Sequence, residues 1–363
     1  MRIAPLTGLR GIAAIAVMIY HIPHNPAFAA WDLTLFSRAY LCVDLFFILS
    51  GFVISLGYYE RVVKRLGPAS YGDFLVNRIA RVWPLHLVVA LVFAARFLLN
   101  VSGEQTVALT PANIVANLMM VQSWGWGTQA LAGNSWSVST ELVAYLAYPL
   151  VALLAFSRLA WLQAAGSVGL LLLVAWLGQG SRGPLDVNDG ATILPVLRCL
   201  AGFSLGVIAY RLVQDARIER WLGGEHGFIA ACLAIAAALI VPGGDVLVVV
   251  AFVPLVMACY YNGHVARAVM ANPVSFHLGL ISYSIYLWHP LVRDVFARGM
   301  SVAHRKGFAG DDWAFVLATY LVTWLVCWAS YKLIEVPGHR AVKRIERRFT
   351  EAPPTLHEAA ERA

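Results

Sequence analysis

Two ionisable residues near the start of the chain have the spacing of a joint site. Arg10 and His21 lie within one almost entirely apolar stretch, eleven positions apart. In an α-helix this spacing is about 20° past three full turns, so both side chains share a face and lie about 16 Å apart along the axis. Charged groups inside a hydrocarbon layer are unfavourable and usually functional. The pair therefore predicts a substrate path with a cation at one end and an imidazole at the other.

The composition indicates that this pair lies on a helix within a membrane. The chain has 363 residues, of which 60% are hydrophobic and 13% are charged, and its mean hydropathy is +0.70. These values are typical of an all-α polytopic membrane protein and exclude an ordinary soluble enzyme. Ten apolar runs are predicted to span the membrane: 8–24, 40–58, 82–99, 136–156, 160–178, 191–210, 227–242, 245–261, 275–296 and 313–334.

The distribution of basic residues predicts the orientation of these spans. With the N-terminus inside, nineteen of the 27 Lys and Arg residues fall on the inner side, six fall on the outer side, and Arg96 and Arg198 fall within spans. This bias places both termini in the cytoplasm. The basic excess lies in loops between spans, so nucleic acid is not a predicted partner. The five cysteines are scattered without metal-ligand spacing, and no metal site is predicted.

The polar segments outside the spans are few. We expect one membrane domain over 1–340 and a basic cytoplasmic tail over 341–363 that lies on anionic lipid. The segment 59–81 is expected to be an inner loop, and 26–39 the first outer loop. A second interpretation treats the N-terminus as a signal peptide that is cleaved near Ala29, which would remove the helix of Arg10 and His21.

The predicted topology places five ionisable groups in one layer of the outer half of the membrane. Isolated, each would be very unfavourable there, so we expect them to surround a wet cavity. They come from five different spans: His21, Asp44, Glu141, Arg198 and His289.

The inner face is predicted to bind phosphate. Arg78 and Arg81 are three positions apart, on one side of an expected helix start, and Arg10 can approach them from the first span. The forked guanidinium suits phosphate oxygens. Lys64 and Arg65 are better explained as ordinary inner-side charges.

These residues belong to motifs through which the chain resembles the acyltransferase 3 family of membrane acyltransferases over nearly its whole length. The chain departs from the family's motif next to Glu141, at Thr140 and over 142–144, and this departure points to an altered acceptor pocket. The matching motifs, in chain order, are Arg10 with His21, 43–54 (VDLFFILSGFVI), 77–84 (NRIARVWP), 134–141 (NSWSVSTE), 283–289 (YSIYLWH) and 334–337 (IEVP).

The resemblance implies transfer of an acyl group, most commonly acetyl, from cytoplasmic acyl-coenzyme A to a hydroxyl of a glycan or of a glycosylated small molecule such as a macrolide. It places the protein in the bacterial cytoplasmic (inner) membrane. The short tail favours family members without a soluble hydrolase-like domain, such as those that modify exopolysaccharides. On this basis Arg10, Arg78 and Arg81 are expected to bind the coenzyme.

The expected mechanism is direct transfer. His21 is predicted to act as general base, with Asp44 or Glu141 orienting its imidazole. The residues expected to contact the acceptor, a glycan or a lipid-linked sugar, are Trp136, Ser139, Arg198 and His289. Ser137, Ser139 and Trp136 are candidates for the oxyanion donor.

Two other classes of function stay open at the level of sequence. A proton-coupled transporter or flippase would use the same buried ionisable groups, but it should show broken helices or inverted halves. A membrane sensor or scaffold would tolerate the loss of His21. The acceptor, the oligomeric state and the formation of an acyl-histidine are left open by the sequence.

Overall fold

The computed structural model of the protein describes residues 3–21, 36–65, 67–99, 107–178, 180, 182–308 and 313–350, with side chains up to residue 346. Most of the predicted first outer loop, the alternative cleavage site and the end of the predicted tail lie outside these residues. Within the described ranges the chain is all-helical: α1 (Ala4–His21), α2 (Cys42–Tyr58), α3 (Pro68–Leu98), α4 (Pro111–Leu118), α5 (Trp136–Ala155), α6 (Ala160–Gly178), α7 (Leu194–Leu212), α8 (Ala216–Leu222), α9 (Glu225–Ile240), α10 (Asp245–Tyr261), α11 (His264–Met270), α12 (Pro273–Leu280), α13 (Ser282–Arg305), α14 (Trp313–Ser330) and α15 (Val336–Thr350).

The helices confirm the predicted class, an all-α polytopic membrane protein. Among the described residues, seven helical segments are long and apolar enough to cross a membrane. The number rises to nine if two sharply bent pairs, α8 with α9 and α10 with α11, each count as one span. The predicted run 275–296 is divided at Ile281 between α12 and α13. A total of ten spans with both ends inside stays a prediction.

The prediction that residues 59–81 form an inner loop is wrong. A short π-helical turn, Tyr59–Lys64, continues from α2, and α3 already begins at Pro68. Proline suits the first turn of a helix because its φ is preset and its missing N–H is not needed there. Arg78 and Arg81 therefore lie ten and thirteen residues inside a 31-residue helix and not at its start.

The centre of the bundle is the contact between α2 and α7. In both, 72% of the span is buried, against 17% in the peripheral α6. Two glycines allow the close approach: a Cβ at Gly51 would lie 2.1 Å from the carbonyl oxygen of Phe203, and one at Gly206 would lie 2.0 Å from that of Ile48. Small residues at such crossings are typical of packed membrane helices.

Helix α1 is enclosed by other helices. It packs against α12, α13, α11 and α2, and more lightly against α10. The residues on its buried face include Leu9, Ala13, Val17 and Tyr20. The helix that carries Arg10 and His21 is thus part of the core, where its polar face meets α13.

Candidate active site

Two neighbouring cavities lie along α1. The larger has a volume of about 890 Å³ and lies where α1 ends and α2, α5 and α7 begin. The smaller, about 140 Å³, lies deeper, between α1, α2, α3, α5 and α13. We call them the distal and the proximal cavity. Val43 and Tyr286 line both, so these two side chains stand at their junction.

His21 faces the distal cavity in one defined tautomer. Its Nδ1 lies 2.8 Å from the carbonyl oxygen of Val17, one turn earlier in α1. A carbonyl oxygen can only accept a hydrogen bond, so Nδ1 carries the proton and the neutral ring keeps a lone pair on Nε2. Because His21 lines the cavity, this arrangement suits a general base.

His289 supports His21 from α13. Its own Nδ1 donates to the carbonyl oxygen of Ile285, 2.9 Å away, so its Nε2 is an acceptor. That Nε2 lies 3.3 Å from Nδ1 of His21. His289 is 1% exposed and is absent from the cavity lining. The structure therefore places it behind His21 and outside the lining of both cavities, and its contact with the acceptor stays a prediction.

Asp44 does not orient His21. It is fully buried, and its two carboxylate oxygens accept from Nε and Nη2 of Arg198 at 2.9 and 2.6 Å. Arg198 also lies on the wall of the distal cavity, and its guanidinium stands over the ring of Trp136 at 5.3 Å. The predicted catalytic carboxylate is thus half of a buried ion pair that joins α2 to α7.

Glu141 belongs to the other cavity. It lines the proximal cavity together with Arg10, Arg78 and Arg81, and it makes no hydrogen bond with His21 among the described residues. Of the five ionisable groups expected around one cavity, His21 and Arg198 line the distal cavity, Glu141 lines the proximal cavity, and Asp44 and His289 line neither. Their common depth in the outer half of the membrane stays a prediction.

The three predicted coenzyme ligands meet in the proximal cavity, as the sequence suggested. Arg78 stands over the ring of Tyr58 at 5.1 Å, and its Nε is buried without a hydrogen-bond partner. Arg81 forms an ion pair with Glu335 at 2.7 Å, and Ser284 donates to the same carboxylate at 3.1 Å. Glu335 lies in the 334–337 motif, but no role for it was predicted.

The two residues expected to hold the acceptor from α5 differ in position. Trp136 lines the distal cavity, as a contact residue should. Ser139 is fully buried, and its hydroxyl accepts from the backbone N–H of Ser123 at 3.1 Å. Ser139 therefore fixes the loop before α5, and it lines neither cavity. Its contact with the acceptor or with an oxyanion stays a prediction.

Tyr286 is a site residue that was quoted in a motif but was not predicted to have a role. Its hydroxyl donates to the carbonyl oxygen of Asn134 and accepts from Ser137, both at 2.9 Å, and Asn134 in turn donates to the carbonyl oxygen of Tyr286. These bonds fix the ring at the junction of the two cavities. They also occupy the hydroxyl of Ser137, another predicted oxyanion donor.

A membrane bundle with an oriented imidazole on one cavity and arginines in the next has the parts of an intramembrane group-transfer enzyme. Residues 3–332 match a family model described as "Acyltransferase domain", and the chain belongs to this family, acyltransferase 3. The predicted resemblance is thereby confirmed.

Known relatives agree with this assignment. The chain is 29% identical over 322 residues to "Acyltransferase MdmB" of Streptomyces mycarofaciens, covering 80% of this chain and 79% of the relative. It is 23% identical to "Putative O-acetyltransferase SACOL0978" of Staphylococcus aureus strain COL, covering 93% of this chain and 57% of the relative. It is also 23% identical to "Putative peptidoglycan O-acetyltransferase YrhL" of Bacillus subtilis strain 168, over 93% and 56%. The chain thus spans little more than half the length of the last two. No solved structure matches it.

Proposed function

We propose that this O-acyltransferase moves an acyl group, acetyl in the simplest case, from acyl-coenzyme A to a hydroxyl of a glycan in the bacterial cytoplasmic membrane. One observation carries the proposal: His21, whose Nδ1 is bound to Val17, lines the distal cavity, while Arg10, on the same helix, lines the adjoining proximal cavity. The names of the relatives support acyl transfer to oxygen, and that of the Bacillus protein supports a glycan acceptor.

The proximal cavity fits the donor by charge and by size. Its lining carries three guanidiniums and the carboxylate of Glu141, and Glu335 neutralises Arg81 at 2.7 Å, so one positive charge is left over. The buried Nε of Arg78 lacks a hydrogen-bond partner among the described residues. This surplus suits the phosphates of a coenzyme. A volume of about 140 Å³ is too small for a nucleotide but suits the thin pantetheine arm. We therefore place the nucleotide at the mouth of this cavity and the thioester near Tyr286.

The distal cavity fits the acceptor. Its volume of about 890 Å³ lies within the range of binding pockets for organic ligands. Its lining mixes aromatic rings such as Trp136 with arginines and aspartates, a composition that suits sugar rings and hydroxyls. An acceptor hydroxyl there can reach Nε2 of His21 without passing Tyr286.

In the proposed reaction, Nε2 of His21 takes the proton of the acceptor hydroxyl as its oxygen attacks the thioester carbonyl. A carbon–oxygen bond forms and the carbon–sulfur bond breaks. The imidazolium then returns its proton to the departing thiolate. Val17 and His289 hold the ring throughout, because both accept from Nδ1.

Replacing His21 tests this proposal. Loss of a general base lowers the rate by about 10²- to 10⁴-fold, so His21→Gln should abolish transfer of labelled acetyl from acetyl-coenzyme A to envelope glycans. Binding of the coenzyme should persist, because the proximal cavity is intact. Wild-type activity should fall at acid pH, because a protonated imidazole cannot accept the proton of the acceptor hydroxyl. A well-expressed His21→Gln protein with more than about a tenth of the wild-type turnover would contradict the proposal.

A carrier is the strongest rival, since two cavities that meet at a narrow junction are also what alternating access requires. The two classes differ in stoichiometry. A carrier moves solute across vesicles without consuming acyl-coenzyme A, whereas a transferase releases one thiol for each acyl group that appears on the acceptor. Thiol release coupled to labelled product excludes the carrier.

A further inference from the structure

We propose that the acceptor is an acidic glycan, and that a cationic wall of the distal cavity binds its carboxylate or phosphate. This inference rests on the proposed function and names its substrate class. The wall is formed by Arg96 at the end of α3 and by Arg293, Asp294 and Arg298 of α13, all of which line the cavity.

The charges of this wall do not balance. Nη1 of Arg96 lies 2.9 Å from Oδ2 of Asp294, and Arg293 binds Oδ1 of the same carboxylate at 2.6 Å. Arg298 is exposed and has no ion pair among the described residues. Three guanidiniums thus face one carboxylate, which leaves a surplus of two positive charges on this wall.

One of these two surplus charges is held where water screens it poorly. The side chains of Arg96, Arg293 and Asp294 are only 16%, 21% and 22% exposed. Uncompensated charge in such a place is unfavourable, and an incoming anion relieves it with charge-assisted hydrogen bonds. Arginine is the side chain best suited to two-pronged contact with a carboxylate or a phosphate.

The remaining charges of the cavity do not duplicate this wall. Arg198 is neutralised from behind by Asp44. Arg182 shares the loop before α7 with Asp186 and Asp189, which also line the cavity, so these three side chains together carry one net negative charge. The wall is therefore the part of the described lining that has a net positive charge.

The wall stands beside the base. Arg293 follows His289 by four residues, so it lies one turn, about 6 Å, further along the same face of α13. His289 contacts His21, and the charge of Arg293 acts on the His21 ring. An acceptor whose anionic group is bound by Arg293 thus presents a hydroxyl of the same or the next sugar to His21.

The test uses the full-length protein in nanodiscs, labelled acetyl-coenzyme A and envelope glycans of the producing bacterium, divided by anion exchange into acidic and neutral fractions. We expect at least about tenfold more label in the acidic fraction. Reduction of its carboxylates or removal of its phosphates should abolish the preference, and the treatment that does so identifies the anionic group.

Three variants make the test specific. Arg293→Gln should raise KM for the acidic fraction about tenfold or more, with little change in kcat and no change for the neutralised glycan. Asp294→Asn should act in the opposite direction and lower this KM, because it removes the competing carboxylate. Arg217→Gln, an exposed arginine paired with Asp215 on the far side of the chain's core, is the matched control and should behave like the wild type.

The outcomes separate this inference from the proposed function. Equal labelling of the neutral and acidic fractions would contradict the inference of an acidic acceptor but would remain consistent with acyl transfer. If Arg293→Gln and Asp294→Asn both weaken transfer to every glycan alike, the wall serves only to hold α3 against α13, and the inference is wrong. Absence of label from all fractions overturns the proposed function and this inference together.

Discussion

At the scale of single residues, His289 occupies the place that a carboxylate has in a hydrolase triad, but it does so as a neutral acceptor. It accepts from the same Nδ1 that also donates to Val17. The base is therefore fixed by two uncharged partners, and no buried anion is needed next to it. Such an arrangement keeps His21 in the required tautomer inside a membrane, where an unpaired carboxylate would be unfavourable.

This geometry predicts that two substitutions of His289 lower kcat to different extents. Loss of a neutral hydrogen bond of about 1 kcal/mol should lower kcat roughly fivefold in His289→Ala, with the KM for acetyl-coenzyme A unchanged. His289→Gln should recover most of the rate, because its amide oxygen can replace the acceptor nitrogen. The measurement is a pair of steady-state curves for each variant.

A second buried histidine offers the control for this prediction. His86 of α3 is bound through Nε2 to the carbonyl oxygen of Asn117 at 2.7 Å and does not line either cavity. His86→Gln should change the yield of folded protein and not its kcat. Equal and complete inactivation of both His289 variants would mean that His289 contacts substrate directly.

The Asp44–Arg198 pair predicts a defect of folding and not of catalysis. Breaking a buried pair at one partner is destabilising by about 3–5 kcal/mol, while replacing both by apolar side chains is often neutral. Asp44→Asn should therefore aggregate on mild heating in detergent, whereas the double variant Asp44→Leu with Arg198→Met should melt near the wild type. A stable Asp44→Asn protein with a large loss of kcat would restore the catalytic role that the sequence suggested.

At the scale of elements, α3 joins the proximal cavity to the π-helical turn Tyr331–Glu335 through the ion pair of Arg81 with Glu335. If Arg78 and Arg81 bind coenzyme phosphates, alanine at either should raise the KM for acetyl-coenzyme A about 10- to 150-fold, as expected for contacts of about 1.5–3 kcal/mol. Lysine should restore it only in part, because it lacks the fork.

Glu335 provides a control for this KM measurement, because its replacement should have the opposite effect to that of Arg81. Glu335→Gln removes the carboxylate that holds Arg81 at 2.7 Å, so this variant should bind the coenzyme at least as tightly as the wild type. If Arg81→Ala and Glu335→Gln raise KM equally, the ion pair only holds α3 against the π-helical turn Tyr331–Glu335, and Arg81 is not a phosphate ligand.

The elements also show what could be predicted from the sequence and what could not. Hydropathy was sufficient for the all-helical membrane class, and the spacing of Arg10 and His21 placed both on one helix, because both signals depend on residues close in the chain. Hydropathy missed the start of α3 at Pro68 and the break at Ile281. The partner of Asp44 could not be predicted, since Arg198 is 154 residues away and the contact depends on the glycine crossing of α2 and α7. The bond from the backbone N–H of Ser123 to the Ser139 hydroxyl could not be predicted for the same reason, because it depends on the packing of a loop against α5.

At the scale of the whole molecule, the distal cavity opens at the end of the bundle where α1 ends, which is the outer end in the predicted topology. Reporter fusions should therefore show the loop at Asp189, on the wall of this cavity, outside the cytoplasm, and Gly223 and the C-terminus inside it. A cytoplasmic signal at Asp189 would reverse the assignment of acceptor and donor to the two sides.

The contact between His21 and His289 has a consequence for biosynthesis. These residues are 268 positions apart, so a growing chain carries the imidazole in the membrane long before the helix that supports it has left the ribosome. The same helix supplies the junction at Tyr286 and one wall of the distal cavity. An unfinished chain thus has the proton acceptor without its support and without an enclosed place for either substrate. About the last quarter of the protein is therefore needed before both cavities and the contact between His21 and His289 are complete.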